Sequence, residues 1–336
     1  MRLLGLINSR FEGVFLNYRK FGKLDWKVSA LGFGVLRLPL TTPRTSRRDE
    51  GNVDEAEGIR IIRYAIDHGV NYVDTGNLYN GGKSEIVVGK ALKEGYREKV
   101  RLSTKPSIRS IKSLQELDGI FEKQLTKLQV DHVDIYMLGG LGEEQSNSWS
   151  KVKRLHLLDW AEKKMAEGKF HYFGFSYHGR YDAFKEIVDG YEGWTFCQII
   201  YNYLEAEMGG RSPGPRALKY AAEKGLAVVV MEPIQGGNLA TRSPIRPTES
   251  PIKPGEIQTL LDEAGIKRKP ADLALQWVWN HPEVSVALSG MSTRNQVIEN
   301  IESASRSPDR LTESELKLIS KIREIGQSRL QQMQKP

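Results

Sequence analysis

The chain has 336 residues, of which 39% are hydrophobic and 27% charged, and it carries a formal net charge of +7. That length suits one large α/β barrel or two medium domains, and no apolar run approaches the roughly 18 residues of a membrane span, so no membrane partner is expected. Lys and Arg are interspersed with Asp and Glu, without the aromatic-basic motif of an RNA-binding module; the positive balance fits attraction for a phosphorylated cofactor better than nucleic acid.

Residues 1–16 carry Arg2, Arg10 and Glu12 among short apolar pieces, with no small-residue cleavage site behind them. They do not read as a signal peptide and are expected to be an extension ahead of one domain spanning 17–336. Segments 18–23 and 27–30, split by Asp25, predict a hairpin closing the bottom of a barrel. Strand-like runs follow at 31–35, 70–74, 100–104, 133–138, 170–176, 196–201, 226–231 and 284–289. They alternate with helix-like runs at 53–68, 83–93, 113–128, 152–167, 181–188, 214–224, 270–280 and 293–301. Eight such units predict a closed (β/α)8 TIM barrel of the α/β class, with 313–330 as an extra C-terminal helix.

Ser113-Leu114-Gln115-Glu116 has the spacing of a capping box ahead of the stripe Leu117, Ile120, Phe121, Leu125 and Leu128. Pro270 suits a first helical turn, and Trp277 and Trp279 after it are expected to pack on the sheet. The Gly-, Pro- and Ser-rich stretch 235–254 is too long for an ordinary connection and reads as a functional loop. No strand is followed by the G-x-G-x-x-G turn of a doubly wound fold. The single cysteine, Cys197, excludes an internal disulfide or thiolate cluster and points to a reducing, cytoplasmic compartment. No metal site is expected, and no motif fixes an oligomeric state.

In such a barrel, function sits at the C-terminal ends of the strands, which selects Asp74, Lys105, Gly139, Ser176, Gln198, Met231 and Gly290. Charges there are paired or costly, so an Asp74–Lys105 ion pair is expected. Tyr79 lies on the loop over the same mouth. A free tyrosine has a pKa of about 10; a neighbouring ammonium favours its phenolate and the carboxylate keeps that ammonium charged. The set makes a proton donor for a carbonyl.

Val73-Asp74-Thr75-Gly76-Asn77-Leu78-Tyr79, with Ser84-Glu85, Gly89 and Ala91-Leu92 behind it, resembles the aldo-keto reductases. So do Leu102-Ser103-Thr104-Lys105, Gly174-Phe175-Ser176, Cys197-Gln198 through Asn202, Met231-Glu232-Pro233, and Leu288-Ser289-Gly290-Met291-Ser292 with Gln296, Glu299 and Asn300. The resemblance runs from about Tyr18 to Ile301. It implies NADPH/NADP+ as cofactor, an aldehyde or ketone as small-molecule substrate, and Asp74, Tyr79 and Lys105 as the catalytic set. Ser176 and Gln198 are implied to hold the nicotinamide carboxamide, and Met231 to pack on its ring where relatives carry an aromatic. Gly290 and Ser292 are implied at a phosphate on a helix N-terminus, Gln296, Glu299 and Asn300 at the adenosine, and Arg242 over the diphosphate. Arg294 is a rival for the ribose phosphate.

Relatives normally carry a histidine where this chain has Gly139. Losing one oriented donor costs on the order of 10²–10³ in rate; His178 is a candidate to reach across, and an imidazole restored at 139 is expected to fit. The phrases around Gly139, Ser176 and Met231 also resemble a branch often ending in a cysteine-rich ferredoxin-like extension, but no cysteine follows Cys197, so no iron–sulfur relay is expected. The leading expectation is a NADPH-dependent carbonyl reductase with Tyr79 as acid. The alternative is a catalytically weak NADP(H)-binding sensor or regulatory subunit, and a third reading uses Lys105 as a Schiff base.

Overall fold

The computed structural model describes residues 15–42, 52–142, 148–207, 211–240, 251–253 and 255–333. Eight parallel strands close a barrel in chain order: β1 (Leu31–Gly34), β2 (Tyr72–Asp74), β3 (Arg101–Thr104), β4 (Ile135–Gly142), β5 (Tyr172–His178), β6 (Phe196–Ile200), β7 (Ala227–Met231) and β8 (Val284–Ser289). The fold is the expected α/β barrel. Six strands fall inside the expected segments, while β4 and β5 run on to Gly142 and His178. The ring closes where Leu31 of β1 pairs with Ala287 of β8.

The helices are α1 (Glu55–Asp67), α2 (Lys83–Ala91), α3 (Leu114–Leu128), α4 (Ser148–Arg154), α5 (Leu157–Ala166), α6 (Tyr181–Asp189), α7 (Gly214–Glu223), α8 (Glu256–Glu263), α9 (Pro270–Trp279), α10 (Arg294–Ser305) and α11 (Glu313–Met333). The Ser113 hydroxyl accepts from the Glu116 amide at 3.2 Å, and Glu116 reaches back to the Lys112 amide at 2.7 Å, so the capping pair is present one residue wider than expected. Pro270 opens α9. The single helix expected over 152–167 is instead two, because His156 takes a left-handed φ of 51° and breaks the run before α5. Helix α8 and the strand Leu40–Thr42 lie outside the expected elements; the partner strand Asn52–Val53 takes the first residue of the expected helix 53–68, which begins at Glu55 instead. None of the described helices is long and apolar enough to cross a membrane.

Two apolar clusters hold the barrel. The larger fills the space between strands and helices; Trp279 belongs to it and donates its indole N–H to the Ala30 carbonyl at 2.9 Å. The smaller fills the barrel interior at its N-terminal end. There the expected hairpin pairs Tyr18–Lys20 with Lys27–Ser29 and delivers Phe21, stacked on Trp26 at 4.6 Å and tilted against Tyr72 and Phe196. Aromatic rings thus seal one end and leave the other for polar chemistry.

Candidate active site at the barrel mouth

A cleft of about 1580 Å³ opens at the C-terminal end of the barrel, and Asp74, Tyr79 and Lys105 all line it. Asp74 ends β2, in register with Gly34 of β1 and Ser103 of β3. The Lys105 ammonium donates to both Asp74 carboxylate oxygens at 2.6 and 2.8 Å and to the Thr75 carbonyl at 2.8 Å. The Ser103 hydroxyl adds a 3.2 Å bond to Asp74. Lys105 Nζ also stands 4.9 Å from the centre of the Tyr79 ring. Gly76 packs closely beneath that approach, since a Cβ there would lie 3.3 Å from Lys105 Cγ and 3.5 Å from the Tyr79 ring. Sequence reasoning passed over Gly76; its signal was a residue without side chain between the acid and the tyrosine.

Burial works against the Lys105 ammonium, but the Asp74 charge and the Tyr79 oxygen more than reverse it, so its pKa lies above that of an ordinary lysine. A Schiff-base lysine needs a depressed pKa to be a nucleophile, so this geometry opposes the third reading. Burial pushes the Tyr79 phenol up, with Lys105 pulling the other way. Tyr79 therefore holds its proton at neutral pH beside a cation able to stabilise the phenolate left after donation.

Gly139 carries a correction. Strand β4 slips register against β5 between Leu138 and Leu141, and within that bulge the Gly139 amide donates to the Pro106 carbonyl at 3.0 Å. A Cβ built on Gly139 would lie 2.4 Å from that carbonyl oxygen. The main chain occupies the space an imidazole stem would need, so the expectation that a histidine fits here is overturned. The next residue, Gly140, has φ +78°, and its amide donates to the Ser176 hydroxyl at 2.8 Å. Bulges re-aim the strand they interrupt; this one turns β4 toward both β3 and Ser176. His178 lines the same cleft from the end of β5.

Ser176 and Gln198 are buried and face each other in register on β5 and β6. Among the described residues, the buried Gln198 Oε1 atom has no hydrogen-bond partner and its Nε2 has only the Met231 sulfur at 3.6 Å. A buried amide oxygen left unmatched costs about 1–3 kcal/mol, and a ligand amide entering the cleft would satisfy it. Ser176, already accepting from Gly140, keeps its hydroxyl proton to donate. The pair thus fits a carboxamide, which needs one acceptor and one donor.

At the far end of the cleft, Gly290 faces the Arg37 stem, whose Cγ would lie 2.8 Å from a Cβ on the glycine. Arg37, on the loop after β1, also donates to the Gly236 carbonyl at 3.2 Å and so reaches the loop after β7. No sequence signal singled it out. Thr293 caps α10, and the Gln296 side-chain oxygen accepts from the Ser292 amide at 2.8 Å. Glu299 is paired with Lys269 at 2.6 Å, and Asn300 donates to the Ser289 hydroxyl at 2.9 Å. All three helix residues line the cleft, each with an intramolecular partner. Arg294 instead lays its guanidinium over the Tyr64 ring at 4.8 Å. Arg242 lies outside the described residues.

The family model for the aldo/keto reductase family matches residues 30–324. The chain belongs to that family. Among individual relatives, the uncharacterized oxidoreductase YrpG of Bacillus subtilis is 25% identical over 324 residues, covering 88% of this chain and 93% of its own. The aldo-keto reductase AKR11C1 from Bacillus halodurans, solved in its holo form, superposes with a TM-score of 0.70 at 28% identity, covering 91% of this chain and 96% of that one. An aldo-keto reductase from Klebsiella pneumoniae, solved in complex with NADPH, has a TM-score of 0.67 at 23% identity, with 91% and 95% covered.

Proposed function

We propose that this aldo/keto reductase is a cytoplasmic NADPH-dependent reductase of aldehydes or ketones, carried by one barrel domain over residues 17–336. One observation carries the reading: the Asp74–Lys105 pair set against Tyr79 shares a cleft with the unmatched Gln198 amide. When bound, the reduced nicotinamide supplies a hydride to the carbonyl carbon. Tyr79 gives its proton to the carbonyl oxygen, Lys105 stabilises the phenolate left behind, and Asp74 keeps Lys105 charged and oriented. Gln198 and Ser176 hold the carboxamide, and Met231 packs on its ring. Gly290 and Ser292 admit phosphate near the α10 N-terminus, while Gln296, Glu299 and Asn300 flank the adenosine. Arg37, a guanidinium lining the cleft beside Gly290, would suit a diphosphate; the assignment of Arg242 to the same group rests on the sequence resemblance alone. The Klebsiella relative's complex supports the choice of cofactor by analogy.

The test is a titration of NADPH and NADH by protein fluorescence, followed by a carbonyl panel. NADPH is expected to bind at least about tenfold tighter, a difference of roughly 1.4 kcal/mol. Equal dissociation constants at moderate salt would remove the 2′-phosphate site from the reading. The second reading, a cofactor-binding sensor or regulatory subunit, is favoured by Gly139, where main chain stands in place of a side-chain donor. Tight NADPH binding with no turnover on any carbonyl would select it.

A further inference from the structure

Behind Lys105, outside the cleft, lies a buried polar cluster that the proposed chemistry does not use. Glu85 of α2 is fully buried. One carboxylate oxygen accepts from the Thr104 hydroxyl at 2.8 Å and from Gln124 Nε2 of α3 at 2.7 Å; the other faces Lys127 Nζ at 3.6 Å. Gln124 Nε2 also approaches the Thr104 hydroxyl at 2.9 Å and the Lys105 carbonyl at 3.1 Å. Its Oε1 accepts from the Tyr136 phenol at 2.9 Å. That bond sets the amide's orientation: a flip would turn an oxygen toward the Glu85 carboxylate and the Lys105 carbonyl, and both would repel it.

A buried carboxylate with only one well-matched oxygen is costly and calls for an explanation. The contacts supply one. The Lys105 carbonyl is held from two sides, by Gln124 and by the Asn77 amide at 3.0 Å, and Pro106 follows it directly. At the other end of the same residue, the ammonium donates to the Thr75 carbonyl, and the Thr75 hydroxyl is bonded to Ser84 at 2.7 Å. Ser84 and Glu85 are consecutive on α2. One helical turn thus fixes both the backbone of Lys105 and a main-chain acceptor of its ammonium.

We infer that Glu85 and Gln124 are positioning residues that hold Lys105 against Tyr79. The inference rests on the reading of Tyr79 as proton donor, with Lys105 tuning it. The charged groups that act on Tyr79 are Lys105, Asp74 and Glu232; Glu232 is paired with Arg211 at 2.7 Å, so loosening Lys105 leaves the phenol chiefly against the Asp74 carboxylate. Burial and the Glu85 and Asp118 charges hold the Tyr136 phenol well above the usual tyrosine range, which keeps it a donor to Gln124 throughout.

The experiment follows Tyr79 directly. Protein labelled with 3-fluorotyrosine, whose fluorine lowers the phenol pKa into a convenient range, is titrated by ¹⁹F NMR, with the Tyr79 signal identified by its loss in Tyr79→Phe. In Gln124→Leu, the Tyr79 midpoint is expected to rise by about one pH unit, the lower end of what a nearby opposite charge contributes. The basic limb of the reduction rate should move the same way while the plateau falls about tenfold. Tyr136→Phe removes one oxygen from a ring still packed by Phe121, Trp160 and Phe170, so it should fold and give a smaller shift of the same sign. An unmoved Tyr79 midpoint in Tyr136→Phe, or in folded Gln124→Leu, overturns the inference. If the midpoints move but the wild-type protein reduces no carbonyl, the clamp stands and the reductase reading fails.

Discussion

Lys105→Met is expected to lower any carbonyl reduction by about 10²–10⁴-fold, the range for a positioned acid–base group, and also to destabilise the fold. Methionine fills most of the lysine's volume, yet it leaves the Asp74 carboxylate buried with, among the described residues, only the Ser103 hydroxyl as its side-chain partner. Removing one member of a buried ion pair costs about 3–5 kcal/mol, because the other charge is stranded. Activity and stability therefore fall together in the single variant, and a second substitution separates them. Asp74→Asn combined with Lys105→Met removes the stranded charge while keeping a group that can bond Ser103. The double variant should recover most of the lost stability in a urea melt without recovering turnover, and its affinity for NADPH should stay close to that of the wild-type protein. A double variant as unstable as the single one would mean that Lys105 supports the barrel mouth in some way other than neutralising Asp74.

Gly139→His is the second large effect, and its sign is opposite to what the sequence suggests. Read along the chain, the position lacks only a donor, and an imidazole would restore one. In the fold, the added Cβ would press on the Pro106 carbonyl at 2.4 Å, and that carbonyl is already held by the Gly139 amide. Overpacking at such a contact costs about 1–3 kcal/mol, and relief requires moving Pro106, which directly follows Lys105. The variant is expected to melt earlier and to gain on no aldehyde. Gly139→Ala isolates the cause, since it adds the Cβ and nothing more. If Gly139→Ala and Gly139→His both match the wild-type melting temperature, the bulge yields easily and the simple missing-donor account returns.

Asp74, Lys105 and Ser176 were legible because each closes or directly follows a short strand-like run, where a parallel barrel exposes its residues, whereas Gln198 lies inside its run and its role came with the resemblance. Tyr79 needed the resemblance, since a loop aromatic has no periodic signature. Two kinds of feature stayed hidden. One is local geometry that composition does not encode: the left-handed His156 that splits a helix, and the bulge at Gly139 and Gly140, which was read as the plain end of a strand. The other is long-range polar contact. Gln124 reads as an ordinary polar position on an amphipathic helix, and nothing in its neighbours tells that it meets Glu85, Thr104 and Lys105 in the interior. Arg37 and the Lys269–Glu299 pair escaped for the same reason, since their partners come from distant segments.

The seam between β1 and β8 joins opposite ends of the chain, and this bears on how the protein is made. During synthesis the hairpin that carries Phe21 emerges before the barrel strands, yet its ring packs against Phe196 and its Lys23 amide bonds the Gly225 carbonyl, both far downstream. Strand β1 pairs with β2 on one edge, but its other edge must wait for β8, through Ala287, to be covered. Contacts this distant in sequence form late and slow the search. Until β8 leaves the ribosome, β1 and β7 each offer an open strand edge to other chains. A nascent chain stopped short of Val284 would hold Asp74, Tyr79 and Lys105 and still lack both the closed barrel to carry them and the segment from Gly290 to Asn300.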